Sequence, residues 1–334
     1  MRVTKKLLKV LFVINALLIL LYLVGPNPST PVYGKEWPVV PAAITSLEAY
    51  VKNNEAAHRL KPDNEARIVW SNDSLKNKTP YAIVYLHGFS ASQEEGNPVH
   101  RNIAKRFGCN LYLSRLAEHG IDTTEPLANL TPEKYWNSAK EALAIGKQLG
   151  DKVILMGTST GGTNALQLAA AYPNDVAALV LLSPNIAINN DKAYLLNNPW
   201  GLQIAKLVTG DDYVTAKDTR GVYKQYWNHH YTLKATVALQ EMLETAMTAE
   251  TFKSIQQPTL MLYYYKDAMH QDSVVKVDAM LEMFDQLGTN TALKRKQAMP
   301  HTGDHVLGSP IKSKDYEGVQ REIEKYLTEV LKLQ

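Results

Sequence analysis

The 334 residues hold 36 Lys and Arg against 33 Asp and Glu, and Arg2, Lys5, Lys6 and Lys9 supply four of the positive charges. The remainder carries 36 − 4 = 32 basic against 33 acidic residues, a balance that excludes a basic nucleic-acid-binding face. Cys109 is the single cysteine, which excludes an intrachain disulfide, a CxxC redox pair and a Cys/His zinc cluster.

Residues 10–24 are apolar except for Asn15, and Leu7 and Leu8 lengthen the run towards the ~20 residues that cross a bilayer. The positive charges lie only on its N-terminal side, which favours a cytoplasmic N-terminus. No small-x-small cleavage site follows, so residues 1–25 are expected to be a signal anchor, with a cleaved signal peptide as the alternative. Either reading puts the remainder outside the cytoplasm, membrane-anchored in the first case and secreted in the second. Residues 26–41 are Pro-rich and read as an extended linker.

From residue 42 strands and helices alternate. A helix is expected over 42–59, strands over 66–70 and 81–88, a helix over 98–107 and a strand over 110–116. Thr131 is an N-cap with Pro132 at the first helical position, and Gly150 ends that helix. A buried strand from Val153, a helix over 162–171 and a strand over 176–184 follow. Near-continuous apolar strands joined by helices predict a mostly parallel sheet covered on both faces. The alternation lapses over about 189–257, where helical pieces and no good strand are expected, with 232–247 the clearest amphipathic helix. It resumes with a strand at 259–265, a helix at 277–287, a strand at 292–299 and a closing helix at 315–333. The 189–257 block is a candidate cap on a domain spanning 42–334.

Gly157, Ser159 and Gly161 fit G-x-S-x-G between a buried strand and an alanine-rich helix. Such a turn lifts a serine hydroxyl above the sheet edge, and the helix N-terminus behind it favours negative charge there.

LHGFSAS at 86–92, GTSTG at 157–161, an acid after the strand TLMLYYY and GDHV at 303–306 occur in the order of the α/β-hydrolase superfamily. Over residues 64–330 the chain resembles capped carboxylesterases and monoacylglycerol-lipase-like enzymes of the serine aminopeptidase type. The resemblance implies the α/β-hydrolase fold, with Ser159 as nucleophile and His305 as its base. The family usually has Gly directly before that His, whereas Asp304 intervenes here, and His301 is a nearby competitor. Two acids follow the strand. Asp272 matches more positions of the family pattern, through the valine and alanine that follow it, and is preferred at the cost of an enlarged loop over 266–271. Asp267 is the alternative. The backbone N–H groups of Phe89 and Thr160 are the implied oxyanion donors.

The expected activity is hydrolysis of small-molecule carboxylic esters, of short or medium acyl chain or lipid-derived, through an acyl-serine and without metal or organic cofactor. An aminopeptidase or amidase is the runner-up, and a non-catalytic membrane-anchored binding module the third reading. Leu195, Leu196, Trp200 and Met242 are candidates for an acyl pocket. His229 and His230 read as surface or pocket-lining residues. Glu94, Glu95, Glu118 and His119 lie in loops bordering the site and carry no assigned role. Oligomeric state is left open.

Overall fold

The alternating apolar runs become a seven-stranded sheet in the computed structural model, which describes residues 2–334. Helix α1 (Arg2–Leu23) stands first, with its described side chains exposed, and α2 (Ile44–Ala56) begins the folded body. Strands β1 (Arg67–Val69) and β2 (Thr79–Leu86) precede α3 (Val99–Arg106) and β3 (Asn110–Leu113). Helix α4 (Pro132–Leu149) leads into β4 (Gly150–Thr158), α5 (Thr160–Ala171) and β5 (Ala178–Leu182).

The chain then leaves the sheet for an insert. It contains α6 (Gly201–Thr209), β6 (Tyr213–Thr215), α7 (Gly221–Tyr226), β7 (His230–Thr232), α8 (Leu233–Ala246) and α9 (Ala249–Ser254). It returns as β8 (Thr259–Tyr263), followed by a hairpin of β9 (Tyr265–Asp267) and β10 (His270–Gln271). Helix α10 (Val277–Gln286), β11 (Lys294–Ala298) and α11 (Tyr316–Glu329) complete the chain.

The sheet order is β1-β3-β2-β4-β5-β8-β11. Every neighbouring pair is parallel except β1, which runs antiparallel to β3 at the edge. The strands are apolar on both sides because both sides are covered. In β2, Ala82, Val84 and Leu86 join a layer with Leu143 of α4, Leu166 of α5 and Met280 of α10. Ile83 and Tyr85 of the same strand join the opposite layer with Ile103 of α3 and Ile323 and Leu327 of α11. Parallel pairing brings the C-terminal ends of the strands to one edge, where the loops that carry a site gather.

Three local expectations change. Gly150 does follow the last residue of α4, but at φ −147° it is extended and enters β4 directly, with no left-handed cap. The insert is not purely helical, since β6 and β7 pair antiparallel, Val214 opposite Tyr231. Three residues per strand are too few to stand out as a periodic pattern. Residues 26–41 are extended but not a free linker. Trp136 Nε1 and Lys140 Nζ both donate to Gly34 O, at 2.8 and 2.7 Å, and the Tyr33 hydroxyl bonds Thr245 Oγ1 at 2.8 Å. Trp37 packs edge-on against Tyr172. Proline composition predicts an extended backbone, and the aromatic residues within it provide the adhesion.

Candidate active site

Ser159 is the junction between β4 and α5. Its backbone sits at φ 53°, ψ −121°, a conformation that costs a non-glycine residue roughly 1–3 kcal/mol. Neighbouring strands hold it there. Its N–H donates to Leu182 O at 2.9 Å, and its carbonyl accepts from Asn185 N at 2.9 Å and Gly162 N at 2.8 Å. The flanking glycines are required sterically. A Cβ on Gly157 would lie 2.5 Å from Gly161 O, and one on Gly161 would overlap the Leu86 carbonyl oxygen. Helix α5 begins at Thr160, two residues earlier than the sequence suggests, so its N-terminal turn starts immediately behind the serine.

The loop after β2 lies opposite this turn, and three buried side chains hold it. His87 Nε2 accepts from Leu116 N at 3.0 Å, so its proton is on Nδ1 and is donated to Gly88 O at 2.9 Å. His119 repeats the arrangement, with Nε2 accepting from Ser90 N at 3.0 Å and Nδ1 donating to Ala117 O at 2.8 Å. Burial holds both rings neutral, pushing His87 down to about 4 and His119 well below its ordinary value. The third side chain is Glu95, whose Oε2 accepts from Gly88 N at 2.6 Å. Burial pushes this carboxyl up to about 7, against the opposing effects of the Gly88 N–H and the His305 charge. Among the described residues, the backbone N–H groups of Phe89 and Thr160 have no acceptor within the chain. Both residues line the same cavity as Ser159.

His305 is buried, and its Nδ1 lies 2.6 Å from Asp272 Oδ2. Asp272 Oδ1 accepts from Val274 N at 2.9 Å and Val275 N at 3.1 Å, which fixes the carboxylate. Burial pushes the imidazole down, but the Asp272 charge and hydrogen bond outweigh it and leave His305 above its ordinary value. Burial likewise raises Asp272, and the His305 charge with the three hydrogen bonds brings it net below the usual carboxylate range. Asp304, the extra residue before His305, accepts from Val306 N at 3.0 Å and lies 3.4 Å from Lys312 Nζ, so it shapes the turn carrying the histidine.

Asp267 is elsewhere. It is exposed at the tip of the β9–β10 hairpin and bonds His270 Nδ1 at 2.8 Å. That hairpin is the enlarged loop that the choice of Asp272 requires. His301 is exposed. His230 bonds Thr215 Oγ1 at 2.9 Å within the insert and is not a cavity residue.

Ser159 and His305 open on a cavity of about 540 Å3. Its insert-side wall is Tyr223, Trp227, Tyr231, Thr236 and Leu239, and Ile188 and Val274 add aliphatic surface. None of Leu195, Leu196, Trp200 and Met242 lines it, which corrects the expected acyl pocket. Met242 is buried in the main core, and Trp200 contacts the chain leaving α1. An apolar residue in an amphipathic helix reveals which face is buried, not what that face meets. Among the described residues no hydrogen bond joins Ser159 Oγ to the histidine, a contact that commonly tightens only with substrate present. An imidazole oriented by a buried carboxylate, a serine held on a strained turn and two unpaired N–H groups in one cavity can together support acyl transfer. Glu95, His87 and His119 are the residues whose part the sequence did not reveal. The available signals were slight: His87 lies within the Gly/Ser-rich turn at 86–92, Glu95 three residues after it, and His119 in a separate loop before Gly120.

Comparison with known proteins agrees with this architecture. A family model for the alpha/beta hydrolase fold matches residues 81–242. The pimeloyl-[acyl-carrier protein] methyl ester esterase of Citrobacter koseri is 27% identical over 210 residues, covering 58% of this chain and 78% of the esterase. A solved structure of the metagenome-derived lipolytic enzymes LipS and LipT superposes with a TM-score of 0.65 at 16% identity, covering 80% of this chain and 99% of that one. The monoacylglycerol lipase of Paleococcus ferrophilus gives 0.55 at 15% identity, covering 78% and 97%. At these identities the solved structures share the fold. The chain has the α/β-hydrolase fold, and its relatives include esterase- and lipase-like proteins.

Proposed function

We propose that this α/β hydrolase is a serine esterase that cleaves small carboxylic esters, of short or medium acyl chain or lipid-derived, through an acyl-serine intermediate. The observation that carries the reading is the buried His305–Asp272 pair at 2.6 Å, opening on the cavity of Ser159. His305 Nε2 takes the Ser159 proton as Oγ attacks the ester carbonyl. The Phe89 and Thr160 N–H groups receive the developing oxyanion, aided by the N-terminus of α5. Collapse of the tetrahedral intermediate breaks the C–O bond, and His305 returns the proton to the departing alcohol. Water then repeats the sequence on the acyl-enzyme and releases the acid. Asp272 holds the imidazole in the tautomer that presents a free Nε2 and stabilises the imidazolium.

The aromatic and aliphatic wall from the insert supports an apolar acyl group, with residues 189–257 serving as a cap. Helix α1 is long and apolar enough to cross a membrane. Trp200 Nε1 donates to Leu21 O at 3.0 Å and its backbone N–H to Pro26 O at 2.8 Å, which supports a retained anchor, and the positive charges on the N-terminal side of α1 favour an enzyme outside the cytoplasm. The test is labelling by a fluorophosphonate probe, together with turnover of p-nitrophenyl esters of graded chain length and of aminoacyl p-nitroanilides. Labelling and ester turnover that vanish in Ser159→Ala are expected. Intact labelling of that variant would overturn the assignment, and preferential anilide turnover would replace the esterase by an amidase.

A further inference from the structure

Helix α6 presents an apolar face outward. Ile204, Leu207 and Val208 fall on one side of the helix at i, i+3 and i+4, with 40%, 84% and 74% of their surface exposed. The helix packs on α8, and Leu202 and Ala205 are half-buried. Two faces of this short helix are therefore apolar, and only one has a protein partner.

The position of this face identifies its partner. The residue before α6 is Trp200, whose indole covers Gly25 and bonds Leu21 O, while its backbone bonds Pro26 O. The stretch of α1 apolar enough to span, Lys5–Leu23, covers 19 residues or about 28 Å, close to the ~30 Å hydrocarbon core, so Leu21–Pro26 lies where α1 leaves the bilayer. Trp200 then occupies the interfacial depth that tryptophan favours. Leu207 lies about 10 Å from it along the helix. Lys206, bonded to Asp212 at 2.8 Å, and the exposed Lys217 lie close in sequence, with stems long enough to reach lipid phosphates.

We propose that the outward face of α6 is a second membrane contact, in which Ile204, Leu207 and Val208 lie in the bilayer interface beside the exit of α1. The inference rests on reading α1 as a retained anchor. It adds that the insert walling the Ser159 cavity sits on the lipid surface, so the cavity has a defined position relative to the membrane. An interfacial helix of this kind buries its apolar face to about 5–10 Å.

The full chain is placed in phosphatidylcholine vesicles after nitrobenzoxadiazole labelling of single introduced cysteines. Cys109 is buried and its thiol is pushed up to about 12, so it does not compete for the label. Leu207→Cys and Val208→Cys report on the face, Leu18→Cys on the anchor, and Asp151→Cys on exposed surface at the start of β4. The expected result is a blue-shifted emission and loss of most fluorescence to nitroxide-labelled lipid at 207, 208 and 18, with neither at 151. Quenching at 18 with 207 and 208 behaving like 151 would overturn this inference and leave the anchor standing. No quenching at 18 would overturn both.

Discussion

The sheet edge and the insert do different work by different physics. At the sheet edge, Ser159, Asp272 and His305 are buried: Ser159 follows β4, which is paired on both sides, and the Asp272 carboxylate is held by two backbone N–H groups and His305. The insert is held by short elements, by a pair of three-residue strands and by Lys61, whose Nζ donates to Lys224 O and Trp227 O at 2.9 Å. It has apolar surface on both its cavity side and its outer side. A group that must be placed to a fraction of an ångström is built into the rigid layer, whereas the boundary that meets a variable substrate is added onto it.

Ways of breaking this contrast differ in size. The largest effect is expected at the sheet edge. Ser159→Ala should lower kcat by on the order of 10^6, and Asp272→Asn by on the order of 10^4, with Asp267→Asn unchanged. Single-turnover rates on a p-nitrophenyl ester measure all three. Equal activity of the two asparagine variants would mean that the 2.6 Å pair has no part in the chemistry.

Glu95 is next. Glu95→Ala removes the acceptor for the Gly88 N–H and frees the donor loop, at a rate cost approaching the ~10²–10³ of a lost oxyanion donor. Glu95→Gln keeps an acceptor and should retain most of the activity. It removes a negative charge that raises His305, so the acid limb of kcat/KM should move to lower pH. In the native enzyme that limb should lie above the free-imidazole value of ~6.5, because the base must be neutral and Asp272 holds it protonated to higher pH. Stability has the opposite sign for Glu95. A carboxyl raised from 4.5 to about 7 costs folding stability as pH climbs through that interval, and Glu95→Gln should flatten the fall seen in denaturant titrations.

Changes in the insert should be smaller and selective. Leu239→Phe, on the cavity wall, should shorten the preferred acyl chain with a change of about tenfold in kcat/KM between neighbouring chain lengths. Tyr33→Phe, which removes only the bond to Thr245, should cost ~1 kcal/mol in thermal unfolding and leave kinetics alone.

What could be read from the sequence alone was local. A mostly parallel sheet covered on both faces follows from apolar runs alternating with helical segments, because a strand covered on both faces has no polar face to show, and the order of the motifs at 86–92, 157–161 and 303–306 adds the resemblance to α/β hydrolases. The serine turn follows from glycines at 157 and 161, since both meet backbone too closely for a Cβ. Three further features depend on how the chain folds back on itself, which no local pattern specifies. Asp267 and Asp272 are alternatives within one loop until the β9–β10 hairpin exposes the first and brings the second against His305. Glu95 gains its place only when its turn folds back on Gly88. The aliphatic residues of α6 look like any buried stripe until the tertiary structure gives α8 one side and leaves the other uncovered beside α1. Periodicity specifies that a face will be hidden from water, while the neighbour that hides it is chosen by the packing of the whole chain.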